Sequence, residues 1–167
     1  ARGTGAKKFP YAELFRELAI EFRPPKLHSP GTMCNLTSHE LIASFDSIAL
    51  RIENYLRMCA YAAFLLKHTK PMLEIPGTCR ALEVLLSRLT VETEPDFPVA
   101  AAKLMFLQES GFVPEAMGTG GFRREQILDS LLEYAVNPEC PAPDLTEEYR
   151  RKLIRWINEL CDYHDLH

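Results

Sequence analysis

The chain has 167 residues, of which 25% are charged and 47% hydrophobic, a globular balance that excludes disorder throughout. Its longest apolar runs, Cys59–Leu66 and Val99–Met105 (interrupted by Lys103), fall well short of the roughly 20 residues of a bilayer span. The first eight residues contain no apolar signal-peptide stretch, so a soluble, cytoplasmic protein is expected. The net charge of −4 is unevenly spread: residues 1–33 carry six basic groups against three acidic, and residues 34–167 carry 13 against 20, a net of −7. A positive head on an acidic body is compatible with an anionic partner at one end, or simply with uneven surface charge. The five cysteines (Cys34, Cys59, Cys79, Cys140, Cys161) form no CxxC pair, which argues for free thiols in a reducing compartment. Cys59 and Cys79 stand in apolar surroundings and are expected to pack as small hydrophobes.

In chain order, Ala1–Lys8 reads as a loop or hairpin arm with two glycines and three basic residues. Glu17–Arg23 alternates, with Leu18, Ile20 and Phe22 on one face, and predicts a half-buried strand ended by Pro24 and Pro25. Ser29-Pro30-Gly31 turns the chain into a second short strand, Thr32–Leu36. Two strands alone do not make a stable sheet. Thr37-Ser38-His39-Glu40 has capping-box spacing and predicts a short helix to about Phe45. Asp46 then caps a long helix over Ser47–His68, apolar almost all round in its second half, which predicts a central helix touched by several others.

Thr78–Thr90 is amphipathic, with Leu82, Leu85, Leu86 and Leu89 inward and Arg80, Glu83 and Arg88 outward. A loop (Glu92–Pro98) leads to a helix over Val99–Ser110 stopped by Gly111. Glu115–Gly121 reads as a glycine-rich surface loop, Arg123–Ala135 as a helix, and Asp144-x-x-Glu147 as the cap of a last helix to about Tyr163. The expected fold is mainly α: a helical domain of about six helices over 37–167, preceded by a partial β segment over 1–36.

Gly118-Thr119-Gly120-Gly121 lacks the lysine and preceding strand of a phosphate-binding loop, and no Gly-x-Ser-x-Gly elbow is present. Cys161 and His164 are one helical turn apart with His167 beyond, a zinc-suited trio short of a fourth ligand. A packed helix end with solvated histidines is the expectation, and no metal is assigned. Arg2, Lys7 and Lys8 share a loop with Phe9 and Tyr11, and cations beside aromatic rings are how single-stranded nucleic acid is held. Arg150, Arg151, Lys152 and Arg155 cluster on the last helix, where Glu147 and Glu148 can pair with them as a solvated face.

The order of "ARG…KK", "LAIEFR", "TMCNLTSHELIASF", "IENYLRMCAYAAFLL", "AAAKLMFLQESGFVPE" and "LIRWINELCDYH" resembles the RecO family of bacterial recombinational DNA repair mediators over nearly the whole chain. The most telling parts are Gly111-Phe112-Val113-Pro114, Ser38–Phe45 and Tyr163-His164. The resemblance implies an N-terminal OB fold, joined here partway through its barrel, and a C-terminal helical domain. Many members carry four zinc cysteines after the Gly-Phe-x-Pro segment. Residues 115–124 hold none, so no zinc and no cofactor are expected.

The implied activity needs no catalytic residue: binding and annealing of single-stranded DNA, and help in loading RecA onto DNA covered by single-strand binding protein. Implied partners are RecR and the acidic, phenylalanine-ended C-terminal tail of that binding protein. The resemblance places the protein in the cytoplasm at the nucleoid. DNA contact falls to Arg2, Lys7 and Lys8, with Arg16, Arg23 and Lys26 as further candidates. The rival reading is a helical protein–protein adaptor that does not bind DNA, which the body's net −7 favours.

Overall fold

A computed structural model describes residues 13–23, 35–70, 73–114 and 121–166, apart from the side chains of residues 35 and 121–124. The chain is mainly helical, with a two-stranded antiparallel sheet ahead of the helices. It divides into two compact units, Ala1–Ser47 and Ile48–His167. The second unit begins eleven residues past the expected boundary at Thr37, because the segment expected to open the helical domain belongs to the sheet.

In the first unit, β1 (Arg16–Arg23) pairs with β2 (Asn35–Ser44), with register shifts at Glu17/Leu18 and Glu21/Phe22. The strand expected of Glu17–Arg23 forms, with Leu18 and Ile20 opposite Leu41 and His39 and Phe22 opposite Leu36. Its apolar face is not half-buried as expected: Leu18 is partly covered, whereas Ile20 and Phe22 are exposed. The short helix expected over Ser38–Phe45 is instead the body of β2. Its capping residues bond across the ladder: the Thr37 hydroxyl donates to the Glu21 carbonyl (3.1 Å) and the Ser38 hydroxyl to the Glu21 carboxylate (2.7 Å). Backbone pairing with β1 satisfies the amides that a helix cap would have served. Asp46 is likewise not a helix cap. It accepts from Arg16 Nη2 (2.9 Å) and Nε (3.2 Å), and the guanidinium, with the Ser44 hydroxyl, holds its carboxyl below the usual range.

A short 3-10 helix (Asp46–Leu50) is followed by α1 (Ile52–His68), α2 (Pro76–Leu89), α3 (Asp96–Glu109), α4 (Gly121–Val136) and α5 (Glu147–Tyr163). Among the described residues five α-helices form where six were expected, since the first became a strand. The centre is also reassigned. α1 buries one stripe (Asn54, Met58, Tyr61, Phe64), whereas α3 buries residues on all sides and packs against α1, α2, α4 and α5. Ala100, Ala101 and Ala102 let neighbouring backbones approach α3 closely, which the bulkier α1 does not allow. α3 starts earlier than expected, with Phe97 and Pro98 inside its first turn, where a missing amide hydrogen breaks no helical bond. Its end is as expected: Gly111 sits at φ 72° and the Phe112 amide returns to the Leu107 carbonyl (2.8 Å).

Helix ends are satisfied by neighbouring helices. At the start of α2, the Glu109 carboxylate accepts from the Gly77 amide (2.8 Å), the Thr78 amide (2.6 Å) and the Thr78 hydroxyl (2.6 Å). At its end, Asn54, 1% exposed, donates to the Leu89 and Glu92 carbonyls (2.8 and 2.9 Å). The inward side of α2 is Thr78, Ala81, Val84, Leu85 and Leu89, with Leu82 and Leu86 half-buried. Arg88, expected to point outward, is half-buried. Its Nη2 donates to the Tyr134, Asn137 and Cys140 carbonyls (3.1, 3.0 and 2.7 Å), and its guanidinium lies 3.8 Å from the Tyr134 ring centroid. A cation at the negative end of α4 offsets the helix dipole as well as closing its open carbonyls. At α5 the cap is Thr146, which accepts from the Tyr149 amide (3.3 Å), and not Asp144.

Replacing Arg88 by Ala strands three carbonyls and is expected to lower unfolding free energy by about 2–3 kcal/mol. The exposed Arg80, with one bond to the Val136 carbonyl, is expected to cost under about 1 kcal/mol on the same change. Urea titration of the two variants measures the difference.

Candidate functional site

The small residues that make α3 central also open a furrow along it. Between α1 and α5 runs a groove of about 380 Å³ floored by Val99 and Ala100 of α3. Tyr61 and Phe64 of α1 form one wall, and Ile154, Asn158 and Cys161 of α5 form the other. The aromatic wall is fixed from behind: Phe64 meets Phe106 edge-on at 5.2 Å, and Tyr61 donates to the Ala102 carbonyl (3.2 Å).

Two cations, Arg57 and Lys103, and two carboxylates, Asp96 and Asp162, line the groove. Arg57 pairs with Asp96 (2.7 Å), with both side chains more than half exposed. Lys103 donates to the neutral amide oxygen of Asn158 (3.3 Å) and lies 5.6 Å from the Phe64 ring centroid. Apolar walls below and the Lys103 ammonium above suit a short segment that carries both a ring and a carboxylate. Arg57, Phe64 and Lys103 were not singled out from the sequence. The visible signal was Lys103, the one charge interrupting the apolar run Val99–Met105.

Cys161 lines this groove but is buried, and burial pushes its thiol above the ordinary range. A protonated thiol is a poor metal ligand and nucleophile. His164 faces elsewhere: its ring stacks on Phe112 at 4.4 Å and meets Tyr163 edge-on at 5.0 Å. It is therefore half-buried in a ring cluster joining the ends of α3 and α5, not a solvated histidine. His167 lies outside the described residues, among which no group of His, Cys, Asp or Glu has a metal-holding arrangement. The thiol expectation is corrected in part: Cys59 is half-buried, but Cys79 is exposed.

Of the six residues assigned to DNA contact, Arg2, Lys7, Lys8 and Lys26 lie outside the described residues. Arg16 bonds two carboxylates, Glu13 (2.8 Å) and Asp46 (2.9 Å), which leaves its guanidinium little uncompensated charge to offer a phosphate. Arg23 is exposed at the end of β1. On α5, Arg151 pairs with Glu147 (2.9 Å), Lys152 with Glu148 (2.6 Å), and Arg150 lies 5.0 Å from the Phe97 ring centroid. Arg151 and Lys152 form the paired, solvated face their spacing indicated, whereas Arg150 is half-buried against Phe97.

Compared with protein-family models, curated proteins and solved structures, the chain matches none. No helix among the described residues is long and apolar enough to cross a membrane.

Iodoacetamide at neutral pH is expected to label Cys79 rapidly in the folded protein and Cys161 only after unfolding, because one thiol is exposed and the other buried and held protonated. Peptide-resolved mass spectrometry over a time course measures both rates.

Proposed function

We propose that this protein is a RecO-type recombinational DNA repair mediator. In this reading it binds and anneals single-stranded DNA and helps load RecA onto DNA coated by single-strand binding protein. Besides the sequence resemblance, the observation that carries the reading is the α1–α3–α5 groove, whose aromatic wall and Lys103, held only by a neutral amide oxygen, suit the phenylalanine-ended carboxylate of that binding protein's tail. The terminal phenylalanine would rest against Phe64 over Val99 and Ala100, with its carboxylate toward Lys103. DNA is assigned to the basic arm, chiefly Arg2, Lys7 and Lys8, and RecR is a further partner. The chemistry is association throughout: cations neutralise phosphates so that two strands can approach, and the groove brings the DNA-coating protein alongside.

The adaptor reading has two observations in its favour. Arg16, the described arginine nearest the arm, is already neutralised by carboxylates, and the body of the chain is acidic. Fluorescence anisotropy of a labelled single-stranded oligonucleotide separates the two readings. Three phosphate contacts predict an affinity about 20-fold weaker at about 200 mM than at about 50 mM salt, and a loss on Lys7→Glu/Lys8→Glu. Absence of binding at both salts favours the adaptor. In a parallel titration, a labelled acidic peptide ending in phenylalanine is expected to bind, and Lys103→Glu to weaken it at least about tenfold. A peptide that binds the variant equally well removes the groove from the mechanism.

A further inference from the structure

The side of α1 opposite its buried stripe is apolar. Ile52, Leu56, Cys59, Ala63 and Leu66 follow one another at steps of four, three, four and three, the seam of a heptad repeat. Ile52 is 66%, Leu56 57% and Leu66 83% exposed, whereas scattered exposed leucines do not fall on one line. The positions flanking this seam are Glu53, Ala60 and Lys67 on one side and Tyr55, Ala62 and Thr69 on the other. Each set is spaced by sevens.

This pattern specifies its own occupant. In an antiparallel pair of helices each flank meets the same flank of its mate, whereas in a parallel pair it meets the opposite one. Antiparallel pairing of two copies of α1 therefore sets Glu53 of each beside Lys67 of the other. Ala60 meets Ala60 between them, and Leu56 packs on Leu66. Parallel pairing sets both charges beside uncharged residues. We propose that two copies of this chain associate antiparallel through the outer stripe of α1. A 17-residue helix is about 25 Å long, so this seam alone buries less than the roughly 1,200–2,000 Å² of a standard stable interface. The dimer is accordingly weak and concentration-dependent. The seam adjoins the α3 groove at Ala60, which lines both, and the proposal does not depend on the DNA-repair reading.

Sedimentation equilibrium of the full chain between about 10 μM and about 1 mM tests this. The weight-average mass is expected to rise from 19.0 kDa toward twice that value. Leu66→Glu is expected to hold it at monomer, and Glu53→Lys to weaken association about tenfold by opposing like charges twice. Glu53→Lys/Lys67→Glu is expected to restore it, with circular dichroism confirming equal helicity in every variant. A monomer across the whole range, a Leu66→Glu chain that still associates, or a double reversal that fails to restore association each overturns the proposal.

Discussion

The helical unit is organised by α3, an element with no side it can turn to water. Phe97, Val99, the run Ala100–Ala102, Leu104, Phe106 and Leu107 are all buried, so the helix is stable only when wrapped. α1, α2, α4 and α5 supply the wrapping, and each then needs only one apolar stripe of its own. The alanines let the surrounding helices come close, at the expense of filling less volume. The groove is where that volume is left open.

Wrapping a short helix in other short helices leaves many backbone groups at helix ends, and the fold satisfies them across elements. α1, α2 and α3 have no side-chain cap of their own at the N-terminus. Glu109 of α3 serves the start of α2, Asn54 of α1 serves its end, and Arg88 of α2 serves the end of α4. These bonds fix the order and spacing of the helices as well as stabilising them, because each has one donor and one acceptor set that fit. They also hold the groove walls still: Tyr61, bonded to α3, and Phe64, packed on Phe106, cannot swing into the furrow.

The candidate chemistry of this chain is recognition, and its features divide accordingly. The groove joins an aromatic wall to a lysine at its lip, and the outer side of α1 repeats apolar residues at heptad spacing. The basic arm that motivated the DNA reading is a property of composition and order along the chain. Arg16 shows how context alters such a reading, since a counted positive charge is bonded to Glu13 and Asp46.

What the sequence determined by itself was whatever depends on neighbours in the chain. The extended strand of Glu17–Arg23, the amphipathic run after Pro76, the stop at Gly111 and the i,i+4 pairs of α5 are short-range matters of backbone geometry and side-chain spacing, and all appear in the structure. What only the tertiary structure decided was whatever depends on a distant partner. Thr37 and Ser38 have a cap's chemistry, yet they bond to Glu21 because β1 offers their backbones a ladder. Asp46 binds Arg16, thirty residues away, instead of capping the long helix. Arg88 reads as a surface charge until α4 brings it three carbonyls, and α3 outranks the equally apolar α1 because its small residues admit four neighbours. A hydrogen bond or a close backbone approach is a relation between two positions. When they lie thirty or fifty residues apart, no periodicity within either segment can encode it.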